Sequence, residues 1–105
     1  MKLVKGGLAR VVNTNLSLRS GPGTGYKRLA ILQRDVLARI LDAPADGWVK
    51  VEVNGWAKAN DPRKVYSEPD DRSSVEATRQ PVEWQAVVLM GYVSAAYLEV
   101  VDGPQ

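Results

Sequence analysis

The run Leu16-Ser17-Leu18-Arg19-Ser20-Gly21-Pro22-Gly23-Thr24-Gly25-Tyr26 limits what this chain can fold into more than any other segment. Leu16 and Leu18 alternate with polar neighbours, which is the period of a half-buried strand and puts both leucines on the inward face. Glycine reaches backbone conformations closed to other residues and proline fixes its own φ, so Ser20–Gly25 reads as a tight loop. The glycines do not form a phosphate cradle. Their spacing is wrong for the glycine-rich fingerprints, no Lys-Ser/Thr pair follows, and no helix is signalled after them. The segment therefore predicts a small β fold with a closely specified first hairpin and loop, and it points away from an enzyme.

The rest of the chain keeps the same rhythm. Residues 1–7 read as a short N-terminal arm, Leu8–Asn13 as a strand and Leu29–Leu32 as another. In Val36–Leu41 the alternation puts Val36, Ala38 and Ile40 inward and Arg39 outward. Asp42–Gly47 is a turn cluster, after which Trp48–Val53 alternates with valines inward and Lys50 and Glu52 outward. Asn54-Gly55 is the strongest local hairpin signal in the chain.

Regularity then breaks. Residues 59–80 have the Pro, Asp and Ser content of a long loop, with one helical turn expected at Ser74–Thr78. Strand character returns at Trp84–Met90, and Gly91–Ser94 leads through a turn into Tyr97–Val101. Residues 102–105 read as a frayed tail. About seven short strands with regular turns predict an all-β fold, a small antiparallel barrel. Strands 48–59 and 84–94 are expected to pair as one long hairpin, an arm projecting beyond the barrel with residues 60–83 at its tip. Trp56 and Trp84 are expected to meet across it, because cross-strand aromatic pairs stabilise two-stranded ribbons. The spacing of Trp48, Val51, Val53, Gly55 and Trp56 recurs 36 residues later at Trp84, Val87, Leu89, Gly91 and Tyr92. Too little else repeats for a duplication, and the echo reads as coincidence between similar strands.

Composition removes whole classes of chemistry. A chain of 105 residues predicts one domain. It has no cysteine and no histidine, so disulfides, thiol chemistry, the usual zinc ligands and both serine- and cysteine-type triads are absent. Asp70-Asp71 lies in the irregular segment, where a carboxylate pair is poorly preorganised. The expectation is no enzyme, no cofactor and no metal. The longest apolar run is too short to span a membrane, and the first residues lack the apolar stretch of a signal peptide. The net charge of +2 is uneven. Residues 1–62 carry ten Lys/Arg against five Asp/Glu, whereas residues 84–105 carry two acids and no base. A barrel body with an excess of five positive charges could meet an anionic surface.

Three segments together carry a family resemblance. Leu16–Tyr26 resembles the opening of a bacterial SH3-like domain. Gly47-Trp48-Val49-Lys50-Val51 is similar to that family's glycine-tryptophan-x-lysine-valine strand, and Gly91–Leu98 is similar to its closing strand and last turn. The chain departs from the family pattern in two places. Residues 56–90 are inserted between the Asn-Gly turn and the closing strand, and Arg34-Asp35 replaces the usual lysine and glycine of the preceding bend. The resemblance implies an SH3-like barrel over residues 8–101, interrupted by the insertion, and a non-catalytic binding module. Its relatives target cell-wall hydrolases and phage lytic proteins to peptidoglycan.

On that reading the ligand candidates are Tyr26, Trp48, Tyr92 and Arg19. Tyr26 would line a groove, and Arg19 would either fix its loop through backbone carbonyls or receive a terminal carboxylate. Tyr97 is expected in the core. A second reading makes the chain a structural or assembly subunit, as in a phage particle. It would meet a protein partner or a second copy of itself through Trp56, Trp84, Val88 and Met90 on the arm. The third reading, nucleic-acid binding by the basic barrel, ranks below both because aromatic and basic residues scarcely interleave on the strands. The expected setting is cytoplasmic or phage-associated, acting at the cell wall if the chain is part of a lytic protein.

Overall fold

A computed structural model of the protein describes residues 3–13, 15–69 and 83–101. Among the described residues eight strands follow one another: β1 (Leu8–Val11), β2 (Leu16–Arg19), β3 (Arg28–Leu32), β4 (Leu37–Ile40), β5 (Trp48–Lys58), β6 (Asp61–Tyr66), β7 (Trp84–Ser94) and β8 (Leu98–Val100). A 3-10 turn, Ala95–Tyr97, separates the last two. The strands form one sheet in the order β6-β3-β2-β7-β5-β4-β1-β8. An additional β6–β5 pairing closes β5, β6, β3, β2 and β7 into a ring, while β4, β1 and β8 extend the sheet outside it from β5. Every pairing is antiparallel except β3–β6.

Period-two alternation decides which side chains go inside. Leu16 and Leu18, then Val36, Ala38 and Ile40, then Val49, Val51 and Val53 are all buried, in the faces the sequence predicts. They join Ala9, Val11, Ala30, Leu32, Val65 and Val93 in one apolar cluster. Leu3, in the N-terminal arm, packs against the same cluster. The long hairpin forms as expected: β5 and β7 pair in unbroken register from Trp48↔Ser94 to Lys58↔Trp84.

The segment after residue 59 is not all loop. Asp61–Tyr66 is a strand that pairs antiparallel with β5 and parallel with β3, and its Val65 is fully buried. Gly55 makes room for it. A Cβ there would stand 2.5 Å from Val65 Cγ1 and 2.7 Å from the Tyr66 carbonyl oxygen. Asn54-Gly55 is therefore no turn. It lies inside β5, and its glycine admits a crossing strand rather than a chain reversal. The expected helical turn at Ser74–Thr78 and the tail 102–105 lie outside the described residues.

Left-handed backbone supplies several bends. Asn15 has φ 62° and Asp35 has φ 73°, so the Gln33–Asp35 bend is made by an aspartate where a glycine would be usual. Asp46 at φ 53° and Gly47 at φ 83° form the two-residue loop before β5. Ala45 and Trp48 exchange both backbone hydrogen bonds across it, at 2.8 and 3.0 Å. Positive φ at both central residues matches the right-handed twist of the flanking strands.

Candidate functional site

The Asp46-Gly47 turn fixes more than a hairpin. The Gly47 carbonyl accepts a hydrogen bond from the Ala95 N–H at 2.8 Å, which ties the 3-10 turn to the start of β5. Ser94 is the Cα partner of Trp48, and the Tyr97 carbonyl accepts from the Val12 N–H at 3.0 Å. Three elements distant in sequence are thus held together, and Trp48 and Tyr97 become walls of one groove.

That groove has a volume of about 360 Å³. Asn13, Asn15, Ser17, Thr24 and Ser94 supply hydrogen-bonding groups along it, and among the described residues Arg19 is its one charged side chain. A half-buried indole and a partly open phenol offer apolar faces, and the amides and hydroxyls between them offer donors and acceptors. This is the composition of a site that orients a polar, uncharged chain and holds one anionic group.

Arg19 also builds the groove wall. Its guanidinium donates to the carbonyl oxygens of Thr24 at 3.1 Å and Tyr26 at 3.0 Å, and the Ser20 N–H donates to the Lys27 carbonyl at 2.9 Å. The loop between β2 and β3 is thereby closed at its base and strapped from within. Gln33 Nε2 donates to Asn15 Oδ1 at 3.1 Å and holds the opposite side.

The residues expected to bind ligand divide between places. Trp48 and Arg19 line the groove. The Tyr26 ring, half exposed, sits on its own loop instead: a Cβ on Gly21 would collide with it, and one on Gly23 would touch it at 3.5 Å. It does not line this groove. Tyr92 is half-buried on the outward face of β7, between its Cα partners Arg19 and Lys50, and also lies off the groove. Tyr97, expected in the core, is 44% exposed and takes a place in the wall. The reason is its element: the 3-10 turn carries no buried residue and stands off the sheet. The alternation that located the core has no counterpart in such a turn.

On the arm, Trp56 and Trp84 do not form the expected cross-strand pair. Trp56 faces Ala86 on one side and Tyr66 on the other, while Trp84 is opposite Lys58. The ring that meets Trp84 is Tyr66, edge-on at 5.3 Å between centroids and 84° between planes. Lys58 Nζ stands 5.6 Å from both ring centroids. The β5–β7 register is the cause of the difference, since it sets the two tryptophans two residues out of step, and β6 then brings Tyr66 against the Trp84 ring. Trp84 Nε1 is buried and has no hydrogen-bond partner. Further along the same outward face, Val88 and Met90 are 61% and 60% exposed.

Among the described residues no group of three His, Cys, Asp or Glu could hold a metal ion, and no helix is long and apolar enough to cross a membrane.

A small, mostly antiparallel barrel with a 3-10 turn before its last strand, grooved between its first long loop and that turn, is an SH3-like barrel, here with additional strands and an extended arm. Residues 12–61 match the family model for the bacterial SH3 domain, so a bacterial SH3-like domain covers that part of the chain, with further strands beyond its core barrel. No match was found among the curated proteins or among the solved structures. SH3-like domains of this kind are typically non-catalytic binding modules.

Proposed function

We propose that the protein is a non-catalytic module that binds peptidoglycan in the Trp48–Tyr97 groove. The observation that carries this reading is the groove's lining. Two aromatic faces flank a row of amides and hydroxyls, with Arg19 as the only charge among the described residues. Peptidoglycan presents sugars that stack on aromatic rings, peptide amides that exchange hydrogen bonds, and carboxylates that a guanidinium receives. The bacterial SH3 match over residues 12–61 supports the same class of ligand by likeness to wall-targeting relatives. Such a module would act at the cell wall as the targeting part of a lytic protein.

The test is a pull-down on purified peptidoglycan stripped of phosphate polymers. The parent protein is expected in the pellet, and Trp48→Ala and Tyr97→Ala in the supernatant with melting curves close to the parent's. Failure of the parent to sediment at low salt overturns the reading.

A protein partner at the arm is the second reading, favoured by the exposure of Val88 and Met90. Trp84–Met90 carries no charge, and across that span β7 has β5 as its only strand partner among the described residues. Charges usually protect such an edge from strand addition. Val88→Lys with Met90→Lys is expected to abolish any concentration-dependent association seen by light scattering. Association that survives the double change removes the arm as its cause.

A further inference from the structure

On the barrel wall away from Trp48, strands β2, β3 and β6 frame a second cleft of about 520 Å³. Among the described residues its charged lining is Arg19, Lys27, Arg28 and Arg63, with no carboxylate. Arg19 and Arg28 are direct Cα partners on antiparallel strands, at a register shift that leaves Leu29 between them and Ala30. Arg63 comes from β6, the parallel neighbour of β3. Among the described residues the ion pairs all run through Arg10, to Glu99 at 2.7 Å and Asp35 at 4.0 Å. Among the described residues, none of the four cations of this cleft is ion-paired with a carboxylate.

Like charges placed directly opposite on paired strands repel. A fold that sets one arginine opposite another, adds a lysine next to them and brings a third arginine from the adjoining strand concentrates positive potential in one concavity. Arg19 and Arg28 face each other on neighbouring strands, roughly 5 Å apart at the backbone, and Arg63 stands on the next strand just before Lys64, the partner of Ile31, so the three run diagonally across the sheet. A row of that kind matches charges repeated along a linear chain better than it matches a single ion. No aromatic side chain lines the cleft, so a nucleobase finds no ring to stack on there.

We propose that this cleft binds the phosphates of a base-free polyol phosphate chain. The site is separate from the peptidoglycan groove and does not depend on that reading. Arg19 borders both, whereas Arg28, Lys27 and Arg63 line this cleft and not the groove, so those three carry the discriminating contacts.

The test titrates the full chain with poly(glycerol phosphate) by calorimetry across a range of salt, beside a single-stranded oligonucleotide of equal phosphate number. The parent is expected to bind the base-free chain with a slope of log K on log salt of about −3, from four cations at roughly 0.7 each. Arg28→Gln with Arg63→Gln should weaken binding by about tenfold and cut the slope by about half. The same double variant should leave peptidoglycan sedimentation unchanged, and Trp48→Ala should leave the phosphate titration unchanged. Both arginines are exposed, and removing Arg28 relieves its repulsion with Arg19, so the double variant should melt at or slightly above the parent temperature. No binding by the parent, or equal binding by the double variant, overturns the proposal. Tighter binding of the oligonucleotide than of the base-free chain also overturns it and assigns the cleft to nucleic acid.

Discussion

Gly91 is the tightest point between the closing strand and the first hairpin, and Gly91→Ala tests how that junction is built. The residue is buried on β7 opposite Val51. A Cβ added to it would stand 2.6 Å from the Arg19 carbonyl oxygen and 3.0 Å from both Cγ and Cδ1 of Leu18. Leu18 is fully buried and the other contact is backbone, so no flexible side-chain tip can swing aside. To regain ordinary contact β2 and β7 must part by roughly 0.8 Å, and close-packed interiors resist such a shift. Overpacking of this kind costs about 1–3 kcal/mol, and the smaller unfolded-state entropy of alanine offsets about 0.4–1 of it. A net loss of about 1–2 kcal/mol lowers the melting temperature by roughly 5–15 °C in a domain of this size. Gly25→Ala is the matched control, since a Cβ at that position would meet nothing within 4 Å and its φ is not positive. It should be neutral or gain up to about 1 kcal/mol. Thermal melts and urea titrations of the two variants with the parent decide the matter. If Gly91→Ala melts within about 1 °C of the parent, or Gly25→Ala falls further than Gly91→Ala, the close-approach argument is wrong.

Two further outcomes follow from the packing and the backbone. Val65→Ala should cost about 2 kcal/mol in urea unfolding, from two lost methyl groups and the cavity they leave in the core; a loss below about 0.5 kcal/mol would mean that β6 is not anchored there. Gly47→Ala should cost about 1–2 kcal/mol through the left-handed backbone alone, because its Cβ meets nothing within 4 Å, and Gly47→Asn should cost less; equal melting of both variants and parent would contradict the turn geometry.

The parts of this fold that sequence makes plain are those where a strand has a buried face and a polar one. Val49, Val51 and Val53, or Val36, Ala38 and Ile40, announce both the strand and its orientation. The pairing of β5 with β7 was equally legible, because both are long and rich in β-branched and aromatic residues. β6 was hidden for a physical reason. Pro62, Arg63 and Lys64 look like loop, and only Val65 and Tyr66 carry strand character, yet pairing on two sides makes the segment regular. Asn54-Gly55 misleads in the opposite sense. The dipeptide suits a reversal, but the long partner strand on its far side holds it extended, and the missing Cβ serves a crossing chain. In the groove, Trp48 and Arg19 were legible from their position in recognisable segments. Tyr97 was not, since one short 3-10 turn decides whether a ring points in or out. The basic cleft was equally obscure, because Arg63 reaches Arg28 only through the unforeseen parallel pairing of β6 with β3.

The pairing of β1 with β8 sets the timetable of folding. Ala9 finds Val100 and Val11 finds Leu98, so nearly the whole chain separates the two partners. Topologies dominated by such distant pairings fold in milliseconds to seconds, well behind helical chains of equal length. On a ribosome the first strand waits with one edge unfilled until the last has left the exit tunnel. During that interval the β8 of a neighbouring copy fits the vacancy as well as its own does. Domain-swapped dimers are therefore the expected by-product of refolding at high concentration, and dilution should suppress them.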